Sequence, residues 1–180
     1  MEYAASAIAL RVSGYVSKPI TPEKIRCEMD ELRNSIEEEP KEKIRVKAFG
    51  NFEVYIGDKL LKFQNSKTKE LFAYLIDRNG SMCTKREIIN VLWDDDENAF
   101  RHNSYMNKLR CDLIKTLENE GCRDALISKR GILGVWPDKV HCDYFEYLKG
   151  TASGLNAYRG EYMTQYSWSE RTHGLLEDFS

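Results

Sequence analysis

Residues 99–117 read A-F-R-H-N-S-Y-M-N-K-L-R-C-D-L-I-K-T-L. Arg101, Tyr105, Lys108, Asp112 and Lys115 recur at steps of four and three, and so do Met106, Leu109, Leu113 and Leu117. At about 100° per residue the two sets point more than a quarter-turn apart. The spacing predicts a helix from Ala99 to Leu117 that packs one face on a core and offers cations on another. Lys129-Arg130-Gly131 follows as a basic turn between two short apolar runs. A basic helix followed by a basic hairpin points to a reader of DNA.

Working outward from this helix, the stretch before it predicts two more. One spans about Lys67 to Arg78, with Leu71, Phe72, Leu75 and Ile76 inward and Asn79-Gly80 as its stop. The next starts at the cap Thr84 and carries Ile88, Ile89, Leu92 and Trp93. Asp94-Asp95-Asp96-Glu97 is an acidic loop before the basic helix. From Ile44 the period is two: Ile44, Val46 and Ala48 alternate with Arg45 and Lys47, and Phe52, Val54 and Ile56 alternate with Glu53 and Tyr55. Gly57-Asp58 turns the chain into a third strand, Leu60 to Phe63. After the basic helix, Leu126 to Lys129 and Ile132 to Trp136 form a hairpin. Sheet, three helices and hairpin, in that order, predict an α+β winged helix-turn-helix with an N-terminal antiparallel sheet and a C-terminal wing, over residues 44–142.

The flanks divide the rest of the chain. Residues 3–12 read as an alanine-rich helix, and Gly14 to Ser17 as a short strand ended by Lys18-Pro19. Thr21 caps a second helix with Pro22 in its first position and Ile25, Met29, Leu32 and Ile36 on one face. Residues 1–36 are thus a partial α/β unit. Its lone strand needs a pairing partner, because a single strand cannot cover its own edges. Residues 37–43 are a charged linker around Pro40. Residues 143–180 are an aromatic-rich tail holding Tyr144, Phe145, Tyr147, Tyr158, Tyr162, Tyr166 and Trp168, and such a run reads as packing surface.

Composition narrows the function classes. The chain has 180 residues and a formal net charge of -2, which argues against indiscriminate coating of nucleic acid. The charge is uneven: 23–43 is acid-rich, whereas the basic helix carries Arg101, Lys108, Arg110 and Lys115 against Asp112 alone. A local basic face on a near-neutral chain fits specific, salt-sensitive DNA binding. The five cysteines form no C-x-x-C pair and the three histidines are scattered, so neither a metal nor another cofactor is expected. No nucleophile–base pair or phosphate loop is visible, so an enzyme is not expected. No apolar run approaches the roughly 20 residues of a membrane span, and no secretory signal is visible, so a cytoplasmic location is expected.

The residues of 44–140 resemble a known family. K-A-F-G-N-F-E-V, S-K-T-K-E-L-F-A-Y-L, T-K-R-E-I-I-N-V-L-W and S-Y-M-N-K-L-R-C-D-L occur in order. They resemble the transcriptional regulatory winged helix of OmpR/SARP-type proteins, and the last resembles that family's recognition-helix signature. Gly14-Tyr15-Val16-Ser17-Lys18-Pro19 resembles the G-Y-x-x-K-P strand of a response-regulator receiver domain. The resemblance implies that Lys18 binds a phosphoryl group, that the Lys18–Pro19 peptide is cis and that Tyr15 switches rotamer. The acidic pocket and phosphoacceptor Asp of a receiver lie upstream of this segment, so phosphorylation at that site is not expected within these residues. The tail Y-R-G-E-Y…W-S-E-R resembles the first segment of a bacterial activator domain. The whole order resembles a SARP-type two-component response regulator in a phosphorelay.

A winged helix sets its third helix in the major groove. Arg101, Ser104, Tyr105 and Lys108 lie where they can reach bases, with Asn107 at the margin. Arg and Lys suit guanine and Asn suits adenine. Thr84, Lys85 and Arg86 start the second helix, where free N–H groups and cations favour a phosphate. Lys115 is expected on the backbone, and Lys129 and Arg130 on the wing meet the adjacent groove. Asp112 is expected beyond the groove, Arg110 in a structural ion pair, Trp93 in the core with one edge near the backbone, and Lys67 and Lys69 at a solvated helix start. The partners implied are double-stranded DNA, RNA polymerase through the 94–97 loop, and a second copy through residues 1–36. The competing expectation is a winged-helix protein-interaction module that binds no DNA.

Overall fold

The computed structural model describes residues 44–93 and 102–178. Tyr15, Lys18 and Pro19, the 94–97 loop and Arg101 lie outside the described residues, as do the expected divisions at 1–36 and 37–43. The described unit is a mixed α+β structure with two small sheets.

The first sheet follows from the period-two stretch. Strand β1, Ile44–Lys47, buries Ile44 and Val46 and exposes Arg45 and Lys47, as a strand on a core must. Strand β2, Glu53–Ile56, pairs antiparallel with it, Val46 opposite Val54. Strand β3, Lys59–Leu60, pairs with β2 and is shorter than the expected Leu60 to Phe63; Leu61 N–H adds one more bond to Val54 O at 2.8 Å.

The sheet has a fourth strand that the sequence did not announce. Val140–Cys142 runs parallel to β1, Val46 opposite Cys142, so the sheet is mixed rather than antiparallel. A parallel partner needs a long crossover. Here that crossover is the whole helical region, and three residues carry no local sign of it.

Three helices fill the crossover. Helix α1, Ser66–Asp77, is capped by Asn65, whose side chain accepts from Lys67 N–H. It buries Thr68, Ala73 and Tyr74 besides the four expected residues, because other elements cover it on several sides. Strand β4, Cys83–Thr84, leads into helix α2, Lys85–Leu92. Thr84 and Glu87 form a capping box there, each side chain bonding the other's backbone N–H. Helix α3, Asn103–Asn119, buries Met106, Leu109, Leu113 and Leu117, the expected apolar set. Burial of each such side chain contributes about 1.5–3 kcal/mol. The expected start of this helix at Ala99 lies outside the described residues.

Strands β5, Leu126–Lys129, and β6, Ile132–Val135, form the hairpin, closed by Arg130 and Gly131. Gly131 has φ 78°, in the left-handed region where a side chain would be strained. Strand β4 adds to β6, so the hairpin is anchored as a three-stranded sheet.

The tail is part of this core. After β7, Val140–Cys142, come helices α4, Asp143–Leu148, α5, Ala152–Ala157, and α6, Glu170–Asp178. The Asp143 carboxylate accepts from Ala48 N–H at 2.7 Å and Phe49 N–H at 3.2 Å. The Gln165 amide accepts from Phe52 N–H at 2.8 Å and donates to Phe52 O at 3.2 Å. Tyr162 is 1% exposed and donates to Asp77 Oδ1 at 2.9 Å. The boundary expected at 142/143 therefore does not separate two bodies. The aromatic run packs as expected, on residues 44–142 themselves.

Candidate nucleic-acid interface

The surface of α3 is divided among three neighbours, and the division differs from the one expected. Ser104, Lys108, Cys111 and Lys115, at steps of four, three and four, are exposed. At about 100° per residue this line stands nearly half a turn from the buried stripe. It is the true outer face. Tyr105 and Asp112 were expected on it, but the rotation carries them to the flank that meets α1. The Asn65 side-chain N–H donates to Tyr105 Oη at 2.8 Å, and the Thr68 hydroxyl donates to Asp112 Oδ2. Thr68 is fully buried. Asp112 is thus kept off the outer face by an interhelical hydrogen bond, which removes a carboxylate from the cationic surface.

Asn107 and Arg110 lie on the opposite flank. Lys85 Nζ donates to Asn107 Oδ1 at 3.0 Å, which ties the start of α2 to α3. Arg110 Nε donates to Ser128 Oγ at 2.8 Å. Arg110 is structural as expected, but its partner here is a hydroxyl on β5 in place of an expected carboxylate. Lys85, Asn107, Arg110 and Lys129 line one cleft of about 60 Å³ between α3, α2 and the hairpin.

The start of α2 is less open than expected. Lys85 N–H donates to Gly131 O at 3.0 Å, and Glu87 N–H donates to Thr84 Oγ1 at 3.2 Å. These hydrogen bonds consume N–H groups expected to be free for a phosphate. The two bonds to Thr84 also hold the Glu87 carboxyl below its ordinary pKa. Arg86 remains exposed beside them, as do Lys129 and Arg130 at the hairpin tip. Lys115 stands seven residues beyond Lys108, about 10 Å along the axis, away from the cleft.

An aromatic and ionic group surrounds the first turn of α3. Trp93 stacks on His102 with centroids 4.5 Å apart and planes at 8°, and meets the Tyr105 ring edge-on at 5.8 Å. Lys67 Nζ lies 5.2 Å from the Trp93 ring centroid and 2.9 Å from Glu70 Oε2. Lys67 is therefore engaged, not a solvated helix start. No sequence signal singles out Asn65, Thr68 or Glu70. Their polar side chains are common at a helix start, and their distant partners come from packing: Tyr105 and Asp112 on α3 for Asn65 and Thr68, and Trp168 of the tail for Glu70.

Among the described residues, no group of three or more His, Cys, Asp or Glu could hold a metal, and no helix is long and apolar enough to cross a membrane. Cys83, Cys122 and Cys142 are buried and Cys111 is exposed. Neither protein-family models nor curated proteins match this chain.

Proposed function

We propose that the chain is a sequence-specific DNA-binding transcription regulator built as a winged helix, with α3 in the major groove and the β5–β6 hairpin on the adjacent groove. One observation carries the reading. The apolar stripe of α3 is buried while Ser104 and Lys108 face outward, beside Lys85, Arg86, Lys129 and Arg130 on the neighbouring elements. Cations on two elements flanking one helix suit phosphates on both sides of a groove, and the helix between them suits base edges. Ser104 and Lys108 are the leading base contacts, with Arg101 added from the sequence. Asn107 joins them through its amide N–H, and Tyr105 through its ring.

The resemblance of residues 1–36 to a receiver end supports a place in a two-component system and a homodimer through that segment. The acidic 94–97 loop supports contact with RNA polymerase. A cytoplasmic, non-enzymatic regulator follows from the same reading. The test is selection of duplexes from a random pool by the full chain, followed by titration of the winning sequence at several salt concentrations. A preferred sequence, bound with log K falling linearly with log salt, is expected. No duplex binding at low salt would sink the reading.

A second reading has its own support. Tyr105 and Asn107 both spend hydrogen-bonding capacity inside the protein. A winged-helix protein-interaction module would tolerate this. Partner binding that survives neutralisation of Lys108, Lys129 and Arg130 would favour it.

A further inference from the structure

We propose that Trp168 of the C-terminal tail is a positioning residue for the first turn of α3, acting through Glu70, Lys67 and Trp93. The proposal rests on the DNA-binding reading above.

Each step of the relay is a direct contact. Trp168 Nε1–H donates to Glu70 Oε1 at 3.2 Å. The other oxygen of that carboxylate, Oε2, lies 2.9 Å from Lys67 Nζ. One carboxylate thus serves the tail with one oxygen and α1 with the other. Lys67 Nζ stands over the Trp93 ring at 5.2 Å, within the roughly 6 Å over which an ammonium is attracted to an indole face. Trp93 in turn stacks on His102, at the N-cap of α3, and touches Tyr105, in its first turn. A second route converges there. Asn65 caps α1 with its Oδ1 and donates from its side-chain N–H to Tyr105 Oη.

Trp168 is itself fixed. It stacks on Tyr166 with centroids 5.2 Å apart and planes at 8°, and meets Tyr74 edge-on at 5.5 Å. The Lys67–Glu70 pair is largely shielded, with side chains 26% and 16% exposed, so solvent screens it less than a surface pair. The end of α3 nearest the bases is therefore supported from below by an ion pair and an indole that the tail completes. Anything that moves the tail moves the support. Specificity is the property expected to respond, because a tilt of this turn disturbs base contacts more than the flexible lysines on phosphates.

The full chain with Trp168→Phe tests this, with Glu70→Gln as a second variant should the first fail to fold. Phe keeps a ring on Tyr166 but removes the indole donor. Gln keeps an acceptor for that indole but removes the charge that holds Lys67. Two readouts are taken: the Trp93 indole N–H resonance, and affinity for the selected and a scrambled duplex. The expected result is a displaced Trp93 resonance and a loss at the selected duplex of about 3- to 10-fold, the usual size of such indirect coupling, with little change at the scrambled one. An unmoved Trp93 resonance, or equal losses on both duplexes, overturns the relay while wild-type binding still upholds the DNA reading. Wild-type protein that binds no duplex overturns both.

Discussion

The buried hydroxyl of Thr68 on α1 donates to Asp112 on α3, and this one bond both joins the helices and turns a carboxylate away from the cationic face. Thr68→Val leaves the Asp112 carboxylate half-buried without that donor, and stability falls by about 1–3 kcal/mol. Removing both polar groups, as in Thr68→Val with Asp112→Leu, costs less than the single change, since no orphan remains. Urea unfolding of the three proteins checks the order, and a double variant weaker than Thr68→Val contradicts it.

DNA contacts separate by type. Lys108→Ala costs about 1–3 kcal/mol at the selected sequence and relaxes preference at one base position. Lys129→Ala or Arg130→Ala weakens all duplexes alike and lowers the salt slope by about 1. Anisotropy titrations over a salt series distinguish the two patterns. A Lys108→Ala loss that is equal on scrambled DNA would place that lysine on phosphate.

Lys85 has two tasks on this reading, a phosphate contact and the orientation of Asn107. Lys85→Ala therefore lowers affinity on every duplex and also loosens selection at the base that Asn107 faces. Lys85→Arg restores the charge and a donor for Asn107, so it recovers most of both. Selection from a random pool with each variant reads this out. An unchanged base preference in Lys85→Ala frees Asn107 from any reading role.

Asp77 gives a pH signature. Burial raises its pKa above the ordinary carboxylate value, against the lowering effect of hydrogen bonds from Thr172 and Tyr162. The folded state then holds a proton that the unfolded state has released, so stability falls as pH rises from the unfolded pKa of about 4 through the raised folded value. Asp77→Asn keeps an acceptor for Tyr162 and removes this slope. Its stability relative to the parent rises with pH across that window and is flat below it. Thermal unfolding from pH 3 to 7 measures the difference, and parallel curves would refute the assignment.

The parts legible in the sequence were those set by local spacing. The stripe from Met106 to Leu117, the Thr84 cap and the alternation of Ile44 and Val46 each depend on neighbours a few residues away. What stayed hidden depends on distant partners. Val140–Cys142 looks like any short apolar run until it lies beside β1. Tyr105 and Asp112 match the basic set in period, but about 100° per residue leaves a wide arc. Only the position of α1 shows that they lie at its edge, with Ser104, Lys108, Cys111 and Lys115 at its centre. The tail was legible as packing and illegible as to what it packs on.

That last point has the largest consequence for stability. Deleting residues 143–180 removes Tyr144, Phe145, Tyr162, Met163 and Leu176, all buried in the common core. It also strips Ala48 and Phe49 of the Asp143 carboxylate and Phe52 of the Gln165 amide. At about 1.5–3 kcal/mol for each buried side chain, the loss rivals or exceeds the whole stability of about 5–15 kcal/mol typical of a domain. A fragment of residues 44–142 is therefore expected to lack a cooperative thermal transition, although it holds every proposed DNA contact. The full chain melts cooperatively under the same conditions. Circular dichroism on both decides it, and a cooperative melt of the short fragment would show that the tail merely rests on a core complete without it.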